Sequence, residues 1–224
     1  MDILAGTKER VENDAIDIFI ERSQKIIEEK GKCTIGLCGG GSIQGILNRL
    51  KSRAKEIDWK NIHVFMVDER RVPITDERSN YKQAHDMTFR LLLEKNIIPE
   101  ENLHPFTADL SPKEYTKELR RYGGFDISFF GVGEDGHIAG IFPNRGDENG
   151  FFAFDDSPKP PKERMTLSRD MVRENELIFL LFFGETKRNA FEMFNNDSYS
   201  SQELPAKLAL DTDTIVVTNL ESNK

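Results

Sequence analysis

The sequence predicts an α/β protein, and three observations carry that expectation. Short apolar runs recur along the chain, most of them are followed by segments of helical periodicity, and glycine or charge gathers just past the carboxyl end of the runs. With 224 residues the chain is long enough for one sizeable core, so a single domain spanning 1–224 is expected.

In chain order, Lys8 to Lys30 places Val11, Ala15, Ile18, Phe19 and Ile26 at helical spacing with charge on the other face, and Gly31 stands where a C-cap glycine belongs. Thr34 to Cys38 reads as a short buried strand running straight into Gly39, Gly40, Gly41 and Ser42, after which Ile43, Ile46, Leu47 and Leu50 mark an amphipathic helix. Strand, glycine loop and helix is the arrangement in which backbone N–H groups and a helix N-terminus hold a phosphate. A plain tight turn is the alternative, and the placement between strand and helix favours anion binding. It is not a Walker loop, because no Gly-Lys-Ser/Thr follows.

Ile62 to Val67 is a second apolar, β-branched run, followed by Asp68-Glu69-Arg70-Arg71-Val72-Pro73. An arginine at a strand's carboxyl end can pair a phosphate bidentately, and an acid beside it can orient the guanidinium or handle a proton; a solvated surface turn is the plainer reading of such a charge run. Ser79 and Asn80 open a helix in which Tyr81, Ala84, Thr88 and Leu91 share a face. A loop with His104 and Pro105 follows Pro99, and a helix from Pro112 to Tyr122 leads to the next strand. His63, His85 and His104 read as structural or surface residues.

Phe125 to Asn144 concentrates the chemistry. Ile127 to Phe130 reads as a buried strand, and within four residues beyond the glycines come Glu134, Asp135, Gly136 and His137. In open α/β sheets the carboxyl edge is where ligands bind, and histidine is the side chain that takes up and returns a proton near neutrality. The string Gly131-x-Gly133-x-x-Gly136 matches the dinucleotide fingerprint only superficially: Pro143 limits any following helix to under two turns, and 144–163 is polar and proline-rich. A histidine that merely caps the turn is the competing reading.

Beyond Pro143 the extended irregular segment 144–163 carries Phe151, Phe152 and Phe154 and then a proline- and lysine-rich string, which reads as either a lid or a plug of the core's edge. Leu177 to Phe183 is another buried run ending in Gly184-Glu185-Thr186-Lys187, where a lysine one turn into the next helix can reach an anion at the same sheet edge. Leu204-Pro205-Ala206 starts a short helix, and Thr214 to Thr218 closes the sheet.

A net charge of -8 argues against a binder of nucleic-acid backbones. No apolar run reaches the length of a bilayer span, and the N-terminus lacks a basic start and apolar middle, so a cytoplasmic protein without a membrane partner is expected. Cys33 and Cys38, without a second Cys/His pair at ligand spacing, read as two small buried hydrophobes rather than a disulfide or zinc site.

Four separated blocks together resemble the 6-phosphogluconolactonases, within the superfamily they share with glucosamine-6-phosphate deaminases. They are GGGS at 39–42, DERRVP at 68–73 with Ser79-Asn80, GVGEDGHIAGIFP at 131–143, and GETK at 184–187 followed by LPA at 204–206. The resemblance implies a modified Rossmann-like, mostly parallel sheet flanked by helices on both faces. It implies hydrolysis of 6-phosphoglucono-δ-lactone with no metal and no cofactor, by a monomer or small homo-oligomer whose partner is a sugar phosphate. His137 is then the general base, with Asp135 and Asp68 as further catalytic candidates, while Arg70 and Lys187 hold the phosphate together with Gly40, Gly41 and Ser42. Departures from the family pattern are Ile43 and Gln44 in place of Thr-Pro after the glycine loop, Gly140 in place of a serine, and a missing C-terminal Trp and Asp. The deaminase branch carries a glutamate five residues after the histidine, where this chain has Phe142, and Asp-Glu-Tyr where it has Asp68-Glu69-Arg70. A deaminase of amino-sugar phosphates and a non-catalytic sugar-phosphate sensor are the alternatives. The sensor is disfavoured because no additional basic DNA-binding module fits in the chain.

Overall fold

The computed structural model describes residues 1–107 and 109–220. Among these, ten strands follow one another as β1 (Asp2–Ala5), β2 (Cys33–Leu37), β3 (Ile62–Met66), β4 (Asp68–Arg70), β5 (Leu103–His104), β6 (Ile127–Gly131), β7 (Phe151–Phe154), β8 (Arg164–Leu167), β9 (Leu177–Phe182) and β10 (Thr214–Thr218). The α-helices are α1 (Lys8–Lys30), α2 (Gln44–Ser52), α3 (Asn80–Ala84), α4 (Arg90–Glu94), α5 (Pro112–Arg121), α6 (Arg169–Arg173) and α7 (Arg188–Phe194). Seven strands form a sheet of order β1-β10-β9-β6-β2-β3-β5, with every pair parallel. The fold is α/β and Rossmann-like.

Register explains why helices cover both faces. Leu37, Phe129 and Phe179 lie in one row across the sheet, and Phe129 stacks on Phe179 at 4.6 Å while meeting Phe19 of α1 at 5.6 Å. The adjacent row, Gly36 with Phe65 and Ser128, points the other way, and there Phe65 meets Tyr115 of α5 at 5.5 Å. Strands buried on both faces need continuous apolar runs rather than alternation, which is what β9 shows along its whole length. Each such side chain withdrawn from water stabilises the fold by roughly 1.5–3 kcal/mol.

The chain runs β2, β3, β5 outward to one edge, then returns to lay β6 on the opposite side of β2. That reversal creates a crevice between the carboxyl ends of β2 and β6, the place where open α/β sheets bind ligands. The glycine loop and the 131–143 turn are the two segments that leave those ends.

Several elements differ from expectation. β1 adds an outer strand beside β10, so Thr214–Thr218 lies inside the sheet; with four mostly exposed residues β1 has too little periodicity to be read. His104 sits in β5 rather than in a loop, and its burial fits the structural one of its two expected readings. A second, antiparallel sheet of order β4-β8-β7 is linked to the first through Val67, whose N–H donates to the Leu37 carbonyl and whose carbonyl accepts from the Leu167 amide, and it draws Phe151–Phe154 out of the expected irregular segment. Between α3 and α4 a π-helical turn, His85–Phe89, inserts one residue per turn too many for the α period. The apolar face therefore rotates, leaving Leu91 at 37% exposure and burying Leu92 instead.

Candidate active site

Six segments meet at the crevice: the glycine loop, β4, the start of α3, the 131–143 turn, the chain from Lys159 to Arg164, and the turn carrying Lys187. The glycine loop is shaped from behind by two side chains of α3. A Cβ on Gly39 would lie 1.9 Å from Asn80 Oδ1, so only glycine fits there. Gln83 grips Gly40 on both sides, accepting from its N–H at 2.8 Å and donating to its carbonyl at 3.0 Å. The Gly40 amide is thus already engaged, contrary to its expected part in anion binding. Among the described residues the N–H groups of Gly41 and Ser42 make no hydrogen bond, and α2 begins at Gln44 behind an N-cap, Ile43, that offers no side-chain hydrogen bond. A helix start left uncapped beside free amides is electropositive.

β4 supplies the second wall, and Glu69 knits it to α3. Its Oε1 accepts from the amides of Arg70 and Asn80, both at 2.7 Å, and its Oε2 accepts from the Tyr81 amide at 2.8 Å and the Ser79 hydroxyl at 3.0 Å. Glu69 is therefore scaffold, and its neighbours face the crevice. Asp68 is buried, accepts from Asn80 Nδ2 at 3.2 Å and stands 4.0 Å from Arg164 Nη1. Burial pushes its carboxyl up, opposed by Arg70, Arg164 and His137. Arg70 donates from Nη1 to the Arg78 carbonyl at 2.7 Å, while its buried Nε has no partner.

The third wall is the 131–143 turn, which forms no helix; isolated bridges join Val132 to Ile138 and Ile138 to Ile141. The His137 ring folds back over its own turn, so that a Cβ on Gly133 would lie 2.0 Å from Nδ1. The turn is fixed to the rest of the molecule by Ala206, whose N–H donates to the Gly136 carbonyl at 2.9 Å. His137 Nδ1 lies 2.5 Å from Asp135 Oδ1. A carboxylate in that position accepts from Nδ1–H, which fixes the tautomer and leaves the Nε2 lone pair to take a proton. Burial raises the Asp135 carboxyl, but the hydrogen bond and charge of His137 outweigh it and hold the group at about 2. Phe142 covers the imidazole with a centroid distance of 4.7 Å. Lys187 is half-buried; burial lowers its affinity for a proton, with Glu134 opposing and Lys159 adding to the effect.

An imidazole with a carboxylate behind it, two arginines, two lysines and free amides now share one crevice, a set chemically suited to a small anionic molecule and a proton transfer upon it. Among the described residues no group of three or more His, Cys, Asp or Glu is placed to hold a metal ion, and no helix is long and apolar enough to cross a membrane.

A sequence model of the family described as glucosamine-6-phosphate isomerases/6-phosphogluconolactonase matches residues 6–217. The chain belongs to this family. It is 32% identical over 224 residues to the 6-phosphogluconolactonase of Borreliella burgdorferi, covering 95% of this chain and 94% of that one. The crystal structure of 6-phosphogluconolactonase from Thermotoga maritima superposes with a TM-score of 0.83 at 25% identity, over 97% of this chain and 99% of that one. A monomeric glucosamine-6-phosphate deaminase superposes with a TM-score of 0.82 at 20% identity, over 98% and 97% of the two chains. The family's two named activities thus share a backbone, and side chains must separate them.

Of the residues singled out by sequence, Gly40, Gly41, Ser42, Asp68, Arg70, His137 and Lys187 all line the crevice, and Asp135 stands behind His137. Sequence reading did not reveal four further wall residues. Asn80 was expected only at a helix start and beside the DERRVP block, Phe142 only as the position where the deaminases carry a glutamate, and Lys159 and Arg164 only in the string after the aromatics, read as a lid or a plug. The run of basic residues between Lys159 and Arg164 is the one local signal that pointed to them.

Proposed function

We propose that the chain hydrolyses 6-phosphoglucono-δ-lactone to 6-phosphogluconate, with His137 as general base. The observation that carries the reading is the His137–Asp135 pair standing in one crevice with Arg70, Lys187 and the free amides of Gly41 and Ser42. The amides and the two cations hold the 6-phosphate, a dianion that needs several fixed donors. With the phosphate anchored, His137 Nε2 takes a proton from water as the water oxygen bonds to the lactone carbonyl carbon. The tetrahedral intermediate then expels the ring oxygen, which receives that proton from the imidazolium, so the base returns to its starting state. Asp135 stabilises the imidazolium between the two transfers. No step is routed through a metal.

The deaminase reading asks for a proton relay through the imidazole to a sugar ring oxygen. Phe142, buried against His137, can neither give nor take a proton. A lactone needs no prior ring opening, since its carbonyl is already electrophilic.

The test is a coupled assay on freshly made lactone, corrected for spontaneous hydrolysis. The wild type should accelerate hydrolysis, and His137→Asn should cut turnover by about 10²–10⁴-fold, the range for a lost general base. No acceleration by the wild type would remove the function, whereas a folded His137→Asn protein working at the native rate would remove the mechanism.

A further inference from the structure

We propose that Lys159 is a phosphate-contacting residue of this crevice and that Arg164 is the positioning residue that holds it there. The inference rests on the sugar-phosphate reading of the site and adds two residues to it.

Lys159 comes from the 144–163 segment, far in sequence from the loops that build the rest of the crevice, yet it lines the same cavity as Lys187, His137 and the glycine loop. Its backbone is fixed by one guanidinium. Arg164 donates from Nε to the Pro161 carbonyl at 2.9 Å, and from Nη2 to the carbonyls of Pro160 at 3.2 Å and Lys159 at 3.3 Å. The remaining nitrogen, Nη1, faces Asp68 at 4.0 Å, so the strap is referenced to the β4 wall of the crevice. From the other side the Lys159 amide donates to the Ser157 hydroxyl at 3.3 Å, and Ser157 is itself buried. A lysine on a freely solvated loop would not need its carbonyl, and those of the next two residues, bound to a buried arginine.

The charge pattern says what the lysine is for. Among the described residues neither Lys159 Nζ nor Lys187 Nζ makes a hydrogen bond or salt bridge, and the charge of Lys159 opposes protonation of Lys187 across the crevice. Arg70 and Arg164 face each other as cross-strand partners on β4 and β8, an arrangement of like charges that costs stability. A dianion between them relieves both conflicts at once, and lysine, a compact point charge with three donors, suits a phosphate approached from an exposed rim.

Calorimetric titration with two probes, inorganic phosphate and 6-phosphogluconate, tests the assignment. Lys159→Gln, a change at an exposed position, should weaken both by about tenfold or more, the loss of one charge-assisted contact. Arg164→Lys keeps a charge beside Asp68 but cannot bind three carbonyls, so it should weaken both probes comparably. The double variant should then fall no further than Lys159→Gln, because the two residues act through one contact. Unchanged affinity in Lys159→Gln overturns the proposal, as does a loss confined to 6-phosphogluconate with inorganic phosphate unaffected, which would place the lysine on another part of the molecule. Additive losses in the double variant overturn the positioning role of Arg164. If wild-type protein binds inorganic phosphate in a Lys159-dependent way but does not bind 6-phosphogluconate, the lactonase reading fails while the assignment of Lys159 stands.

Discussion

Asp135→Asn isolates the contribution of the orienting acid. Asp135 Oδ1 lies 2.5 Å from His137 Nδ1 and 3.3 Å from the His137 amide, so the substitution keeps shape and removes charge. If the new amide keeps its oxygen toward Nδ1–H, the tautomer survives but the imidazolium loses its counter-charge. If the amide turns its nitrogen inward, Nδ1 must present a lone pair and the proton moves to Nε2, the atom required to be empty. A charge-assisted hydrogen bond is worth about 1.5–3 kcal/mol. The Asp135 side chain is 42% exposed, so solvent screening argues for the lower end, about 1.5 kcal/mol, or roughly tenfold in rate. Adding the misplaced tautomer gives an expected fall in kcat of about 10–10²-fold. KM should move little, because Asp135 stands behind the base and not against the phosphate donors. Initial rates in the coupled lactone assay measure both constants, and the Asp135→Asn/His137→Asn double variant should be no slower than His137→Asn alone. Native kcat in Asp135→Asn, alongside a crippled His137→Asn, would refute the argument that the carboxylate sets the tautomer.

Arg70→Ala and Lys187→Ala should each raise the Kd for 6-phosphogluconate by about 10–10²-fold while leaving affinity for unphosphorylated gluconate poor, and titration calorimetry showing no change in either variant would remove both from the anchor. With glucosamine-6-phosphate as substrate, ammonia release should be undetectable under conditions where lactone hydrolysis is fast; comparable rates would mean that another acid, Glu134 or Asp135, replaces the relay that Phe142 cannot provide. Acid should destabilise the protein through His63, whose imidazole is held down at about 4, below the ordinary 6.5, by burial and then by His104 and Lys32, with Glu101 opposing. The folded state therefore binds fewer protons than the unfolded chain between those values, so this contribution is intact above pH 6.5 and is lost as pH falls toward 4. The melting temperature of the wild type should drop across that window more steeply than that of His63→Gln, and parallel curves would exclude the imidazole as the cause.

Much of the site was legible because a parallel sheet makes it so. Each of Gly39–Ser42, Asp68–Arg70, Glu134–His137 and Glu185–Lys187 comes at or just past the end of an apolar run, and parallel strands deliver all their carboxyl ends to one edge. Proximity in space thus followed from a local pattern repeated along the chain. The state of Gly40 was not legible, since its amide is claimed by Gln83 from a helix whose docking no local pattern records. Lys159 and Arg164 escaped for the same kind of reason. They reach the crevice through the antiparallel pairing of β4 with β8, which sets Arg70 opposite Arg164. No period in either segment announces that register, and on stability alone it is the wrong one, because a like-charge pair is placed where an opposite pair would hold the strands better. Asp68, buried beside Arg164 and in the field of both arginines, offsets part of that conflict. What it does not offset is the electrostatic cost of gathering Arg70, Arg164, Lys159 and Lys187 around one crevice, and that is why a reading that looks for local consistency passes over these residues.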